Sequence, residues 1–380
     1  MRNKFIIIFL TLIIIPLVAF SIYSSKISQN DNSTDLNEES ASSTLISFAN
    51  EIIWNDSKSL KDHVLNYGPK KTVEALSALS SQFGSCHQNA HLAGRFAYEI
   101  FDANAFQNCG AECHSGCYHG ATEAYFKKNG TEKLEQKLGL ICNSNLNSFF
   151  SHQCIHGIGH GLMAFTNYDL PQALKDCDLL PSGQSSCYTG VFMENIVGAL
   201  AIEDVNTEAA KEIDHFSKYL NKDPLFPCNI VEEKYRDSCY FLQTSRMIQI
   251  YGTDFKRIAE TCGSVPTINQ RSCYGSMGRD VGGSFAHNPE AAILNCNFAS
   301  YGEPRNECIK GAVQDSLWDP SGQNEAIKFC TLLTDSVEKT ECYQTIFSRV
   351  PEIISDKTER MNFCKKAESN FQDMCATITK

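Results

Sequence analysis

Eighteen cysteines recur in this chain at a fixed spacing. They fall into pairs with partners 10 to 12 positions apart: Cys142 with Cys154, Cys177 with Cys187, Cys228 with Cys239, Cys262 with Cys273, Cys296 with Cys308, Cys330 with Cys342 and Cys364 with Cys375. From Cys228 onward the first members step by 34 residues every time. The step from Cys142 to Cys177 is 35, and that from Cys177 to Cys228 is 51, one period plus a 17-residue insertion. Regularity over more than half of the chain restricts the fold to a stack of like units.

The text around the cysteines repeats as well. The second cysteine opens segments of similar character, "CIHGIGHGLM", "CYTGVFMENI", "CYFLQTSRMI", "CYGSMGRDVG", "CIKGAVQDSL". The first closes an amphipathic run, as in "PQALKDC", "FKRIAETC" and "PEAAILNC". Asn288-Pro289-Glu290 is a helix start: a cap, a proline at the first position and an acid in the first turn. Helix, short polar loop and helix make an α-hairpin, and the cysteine pair would tie the end of one helix to the start of the next. In the chain-entropy model, closing a loop of this size stabilises by roughly 3 kcal/mol. The expected fold is all-α, a right-handed α-solenoid of about eight to nine disulfide-linked hairpins with a 34-residue period. Upstream, Cys109 with Cys117 fits the preceding unit, and Cys86 fits the second position of the one before. That leaves Cys86 and Cys113 over, and nine disulfides would then use all eighteen cysteines. Residues 44–85 read as capping helices and 86–380 as the repeats. The repeats divide into a histidine-rich part (86–200), an insertion (201–227) and a regular part (228–380).

Thirty-four-residue α-hairpins of this kind resemble tetratricopeptide and Sel1-like repeats, and one disulfide per hairpin resembles the secreted cysteine-rich Sel1-like proteins. The resemblance covers residues 86–380 in architecture only. The tetratricopeptide Trp-Leu-Gly-Tyr and Ala-Phe-Pro pattern is absent, and no functional residue is carried over. What it implies is a superhelix with a concave binding face.

The disulfide pattern needs an oxidising compartment, and the N-terminus fits export. Arg2 and Lys4 precede an uncharged apolar run, residues 5–23. Its length is enough to span a bilayer, and "VAFSIYSS" is a poor cleavage site, which favours a signal anchor (1–23) over a removed signal peptide. Residues 24–43 are polar and aperiodic, a flexible tether. The protein is therefore expected outside the cytoplasm, anchored to the cytoplasmic membrane or secreted. A net charge of −11 argues against nucleic acid as a partner.

The histidines do not follow the repeat. Seven of the ten lie between residues 87 and 160, in three successive units. Aligned on Cys86, Cys117 and Cys154, the second helices read "CHQNAHLAGR", "CYHGATEAYF" and "CIHGIGHGLM". Each offers an i,i+4 pair on one face: His87 with His91, His119 with Glu123 and His156 with His160. Equivalent positions of neighbouring helices stack side by side, so these groups converge on one strip, joined by Glu194 from the next helix. Imidazole with carboxylate suits zinc, copper or iron, as one or two ions. A metal with an open position activates water, and Glu123 or Glu194 would serve as the base. Glycines beside the histidines (Gly120, Gly157, Gly159, Gly161) cost helix propensity and imply close helix approach, or room for an ion or substrate. The column seven after the cysteine continues as Glu194, Arg246, Asp280, Asp315 and Arg349, with Arg279 adjacent. Arg246, Arg279, Asp280 and Asp315 are thus candidates to bind an extended polar ligand.

Other readings compete. Helical histidines also bond the backbone of the next repeat, and a mixed-charge column also fits an ordinary solvated face. "CGAECH" at 109–114 is one residue longer than a c-type haem motif, and the cysteine pairing already accounts for Cys109. A helical array lined by His and Glu is chemically similar to the dimetal helical-repeat hydroxylases, without their His-Glu dipeptides. No phosphate loop, G-x-S-x-G elbow or H-E-x-x-H is present. The choice lies between an exported protein with a His/Glu metal site, a hydrolase or an oxidase if catalytic, and a non-catalytic surface scaffold whose groove binds an envelope protein or an extended polar ligand.

Overall fold

A computed structural model describes residues 49–83, 86–110, 112–142, 148–198, 218–285, 288–317, 322–354 and 356–379. The chain divides into two compact units, Met1–Asn50 and Glu51–Lys380, and the second holds all the helices named below. The segments 1–23 and 24–43 lie outside the described residues, as does 201–217 of the insertion. Among the described residues no helix is long and apolar enough to cross a membrane.

The described structure is helical throughout. The helices are α1 (Ser57–Tyr67), α2 (Pro69–Phe83), α3 (His87–Phe101), α4 (Asn104–Asn108), α5 (Gly116–Asn129), α6 (Leu134–Ile141), α7 (Ser148–Phe165), α8 (Leu170–Asp178) and α9 (Gln184–Met193). After the insertion come α10 (Glu233–Tyr251), α11 (Phe255–Ser264), α12 (Thr267–Ser284), α13 (Pro289–Cys296), α14 (Glu303–Ser316), α15 (Gly322–Leu332), α16 (Ser336–Ile353), α17 (Lys357–Cys364) and α18 (Ser369–Ile378). A 3-10 turn, Cys113–Ser115, precedes α5, and a π-helical turn, Glu194–Gly198, follows α9.

The two helices of each hairpin differ in their burial, and the difference sets the layering. In α11 the buried residues are Phe255, Ile258, Ala259 and Cys262, a single stripe at helical spacing. Its Asp254 cap accepts from the Arg257 amide at 3.1 Å. At α13 the Asn288 side chain accepts from the Ala291 amide at 3.1 Å, with Pro289 opening the helix. These are outer helices. By contrast α12 buries Cys273 through Gly278 without a break, so it is covered on every side. The inner helices pack on one another in chain order, from α3 and α5 through α7, α9, α10, α12 and α14 to α16. The inner row curves far enough that α16 also touches α7.

Nine disulfides staple this arrangement. Seven join the cysteines as their spacing predicts, six across the loop between an outer and an inner helix and one from the turn before α10 into that helix. Cys142 bonds Cys154, Cys177 bonds Cys187, Cys228 bonds Cys239 and Cys262 bonds Cys273. Cys296 bonds Cys308, Cys330 bonds Cys342 and Cys364 bonds Cys375. The partners Cys187, Cys239, Cys308 and Cys375 each sit within an inner helix or the last helix, three or more residues past its start, so each bond reaches one turn into the helix. Cys109 bonds Cys117, and Cys86 bonds Cys113, with Cα atoms 5.4 Å apart in both. Among the described residues no cysteine is free. Nine disulfides point to an oxidising compartment.

Close approach of the inner helices depends on glycine. A Cβ at Gly120 of α5 would collide with the His91 carbonyl of α3, and one at Gly190 of α9 with the His156 carbonyl of α7. The lost helix propensity is offset by bringing the imidazoles of adjacent helices within reach of each other.

Candidate metal centre

Five histidines from three adjacent inner helices meet in the interior: His87 and His91 from α3, His119 from α5, His156 and His160 from α7. All but His87 are buried. They form two groups, one of His87, His91 and His119, the other of His119, His156 and His160. Within each group the ligand-type nitrogens lie within 4.8 Å of one another.

The outward nitrogens establish how the inward ones are protonated. His87 Nδ1 is 2.8 Å from the Cys113 carbonyl, which can only accept, so Nδ1 carries the proton. His91 Nδ1 donates to Glu123 Oε1 at 2.9 Å, and His160 Nδ1 to Glu194 Oε2 at 2.7 Å. His156 Nδ1 is 2.9 Å from Thr189 Oγ1, whose own hydroxyl proton goes to the Ser186 carbonyl, so the histidine is again the donor. With its proton on Nδ1, a neutral ring turns an unprotonated Nε2 inward. His87 Nε2 faces His91 Nε2 at 3.2 Å, and His156 Nε2 faces His160 Nε2 at 3.1 Å. Burial, followed by the charge of neighbouring imidazoles, holds His87, His119 and His156 well below the ordinary histidine pKa, so these rings stay neutral.

The two halves match. His87, His91 and Glu123 correspond to His156, His160 and Glu194: an i,i+4 histidine pair, with the second ring backed by a carboxylate from the next inner helix or the turn that ends it. Glu123 is 32 residues beyond its histidine and Glu194 34 beyond. The Cys113 carbonyl that holds His87 comes from an unusual turn. Cys113, His114 and Ser115 all have positive φ, at 54°, 51° and 57°, which is a strained run for residues with side chains. The crossed disulfides Cys86–Cys113 and Cys109–Cys117 clamp it.

The carboxylates stand behind the histidines, not beside an open coordination position as a water-activating base would. Both oxygens of Glu123 are engaged, one by His91 and the other by Arg95 Nε at 2.6 Å. Those of Glu194 are engaged by His160 and by the Tyr168 hydroxyl at 2.7 Å. Burial pushes the Glu123 carboxyl up, but the Arg95 charge and the bonds from His91 and Arg95 outweigh it and leave it far below the usual range. Glu194 is likewise lowered, its burial outweighed by His160. Burial and Glu194 keep Tyr168 protonated, so it remains a donor.

Two cavities of about 290 Å³ each adjoin the centre. One reaches His119, His152 and His156 on the α5–α7 side and Arg279, Asp315 and Arg349 opposite. The other reaches His87 and is lined by Arg279, Asp280 and Asp315. Asp315 lines both, and burial pushes its carboxyl up to about 7. Arg279 donates to Asp280 at 2.9 Å and to the Ser245 hydroxyl at 2.7 Å. Arg246 is spent elsewhere, donating to Gln249 and to the Asn221 carbonyl, both at 2.7 Å. His152 lies within α7 and is hydrogen-bonded through Nδ1 to Ser186 Oγ at 2.7 Å. His114 sits on the 3-10 turn and lines both cavities. His215 and His287 lie outside the described residues.

Sequence reasoning missed Arg95, Tyr168 and Thr189. Thr189 sits two after its cysteine, the column of His119 and His156, and Arg95 is four after His91. Tyr168 has no local signal.

No family model, curated protein or solved structure matches the chain, so the likeness to tetratricopeptide and Sel1-like repeats has no family support.

Proposed function

We propose that the five histidines hold transition-metal ions and that the protein is an exported metalloenzyme. The observation that carries this reading is the pair of Nε2···Nε2 contacts, at 3.2 and 3.1 Å, between rings whose N–H groups are already committed to oxygen. Where both rings are neutral, two lone pairs at that distance repel. A metal ion drawing on both turns the repulsion into coordination. Each of the four paired rings has an outer partner that orients it and raises its basicity, the usual support of a metal-ligating histidine. All-imidazole coordination suits copper or zinc, with iron next.

Catalysis is supported over storage by the cavity against His119 and His156. Three imidazoles leave a metal an open position. When bound there, the metal would supply Lewis acidity or electron transfer to a small polar substrate. Arg279 and Asp315 are placed to bind that substrate, and Asp315, not Glu123 or Glu194, has a carboxyl suited to exchanging a proton near neutrality. The scaffold we envisage is a right-handed solenoid of 34-residue hairpins, held at the outer face of the membrane by residues 1–23.

The test is elemental analysis of the full chain, produced in an oxidising compartment and purified without chelator or a histidine tag. Near-stoichiometric copper, zinc or iron is expected, reduced in His156→Ala/His160→Ala at unchanged helix content. A folded, metal-free protein that takes up neither added Zn²⁺ nor Cu²⁺ would overturn the reading.

A further inference from the structure

The two ligand groups share one residue. His119 belongs to both, and its helix α5 packs between α3 and α7. Its Nδ1 lies 3.1 Å from His91 Nε2, on the α3 side. On the α7 side the ring stacks on His160, with centroids 4.0 Å apart and planes 12° from parallel, and lies 5.4 Å from the His156 ring. The residue is 1% exposed, and its Nε2 is buried with no hydrogen-bond partner among the described residues. That is anomalous. A buried polar nitrogen without a partner carries its full desolvation cost, and native proteins rarely leave one so. Every other histidine of the centre has an oxygen acceptor for its outward nitrogen, whereas His119 has none among the described residues.

The two nitrogens of an imidazole have diverging in-plane lone pairs: His119 Nδ1 faces the α3 pair, and its unpartnered Nε2 reaches an ion held by the α7 pair once the ring turns out of its stack on His160. Resting on the metal reading above, we infer that His119 bridges two metal ions as an imidazolate. One ion is bound by His87, His91 and one nitrogen of His119, and the other by His156, His160 and the second nitrogen. The bond broken on loading is the N–H of neutral His119. Its proton leaves to solvent, and its electron pair becomes the second metal–nitrogen bond. Nothing is oxidised or reduced. The imidazolate and the carboxylates of Glu123 and Glu194, one behind each histidine pair, set three negative charges against the four positive charges of two dications, with Arg95 beside Glu123 adding one more positive charge. Two metal–nitrogen bonds plus the width of the ring put the ions roughly 6 Å apart.

The probe is Cu²⁺, added to the metal-free full chain in steps and followed by electron paramagnetic resonance. Through an imidazolate, two Cu²⁺ ions couple antiferromagnetically. The signal should rise to one equivalent, collapse towards the second, and return on mild acidification that protonates the bridge. His119→Ala, or His119→Gln should the alanine variant not fold, should bind copper without coupling. Uptake of two ions by the wild-type chain with full additive signal would overturn the bridge and leave the metal reading standing. Uptake of a single ion would do the same. No uptake at all would overturn both. The wild-type titration decides by itself, so the inference does not depend on a variant folding.

Discussion

Glu194→Gln tests whether the carboxylates serve the metal. Glu194 is buried, accepts the His160 Nδ1 proton at 2.7 Å and accepts from Tyr168 at 2.7 Å. Glutamine has the same shape. Its oxygen can still accept from His160, and its NH₂ can donate to the Tyr168 oxygen once that hydroxyl turns round. The substitution thus keeps the bonding pattern and removes the charge. Outer partners of a ligating histidine contribute about 10- to 100-fold in metal affinity, which is roughly 1.4–2.7 kcal/mol. Metal-free stability should change less, by about 1 kcal/mol or a few degrees in Tm, because only the charge assistance of one hydrogen bond is lost. The assay is competition for Zn²⁺ against a chromogenic chelator, with differential scanning calorimetry of the metal-free form alongside. Asp280→Asn is the control: Asp280 accepts from Thr244 at 2.6 Å and from Arg279, and backs no histidine among the described residues, so metal affinity should hold. If Glu194→Gln binds Zn²⁺ within about twofold of wild type, against the tenfold or more expected of an outer partner, the carboxylate is structural and its role behind His160 is refuted.

Other outcomes rest on the same geometry. His87, His119 and His156 have pKa values lowered from 6.5, so above that pH neither folded nor unfolded chain holds their protons and they leave stability unchanged. Below it the unfolded chain takes up protons that the native one refuses. Asp315, held up to about 7, works the other way, one group against three, so the urea midpoint of the metal-free protein should still fall as the pH drops from about 6.5 towards the histidines' folded-state values. Gly120→Ala forces a methyl into the His91 carbonyl, and despite the gain in helix propensity it should cost about 1–3 kcal/mol in chemical denaturation. Replacing Cys330 and Cys342 by serine opens one loop in the regular repeats and should cost about 3 kcal/mol, with metal content unchanged by elemental analysis.

Much of the fold was legible in the sequence, and the parts that were not share a cause. Cysteine spacing alone places the boundary between outer and inner helix, because a disulfide can only join residues whose Cα atoms come within a few ångströms. Alignment on those cysteines brings the histidines onto one strip, because a helix repeats its face every three to four residues. What a column cannot say is which atom a side chain meets. Glu123 and His160 both stand six after a cysteine and look alike as ligands, yet Glu123 bonds the far nitrogen of His91 and the guanidinium of Arg95. Arg246 and Asp315 both stand seven after a cysteine, but Arg246 bonds the Asn221 carbonyl while Asp315 opens onto the cavities. The curvature of the inner row is not written in any one repeat either. It sums small rotations, and it brings Arg349 into the same cavity as His152 and His156, which lie several repeats earlier in the chain.

The spacing of the repeat also bears on how many ions the centre holds. Packed helices stand about 8–10 Å apart, so α3 and α7, one helix removed from each other, carry their histidine pairs on axes roughly twice that distance apart. The side chains close part of that gap, with the His91 and His160 rings 5.8 Å apart between centroids, but the ligand nitrogens group as two sets within 4.8 Å, each made of one pair and His119, and the pairs are held by Cys113 and Glu123 on one side and by Thr189 and Glu194 on the other. Those four anchors are in place, at 2.7 to 2.9 Å. A row of equivalent helices that places a ligand pair on every second member therefore favours two ions. The intervening helix then needs one side chain with a donor on each side. Thr122 of α5 bonds the Gly157 carbonyl of α7 at 2.6 Å, fixing α5 against α7 beside the centre. Of the residues α5 offers there, His119 alone has two nitrogens to share.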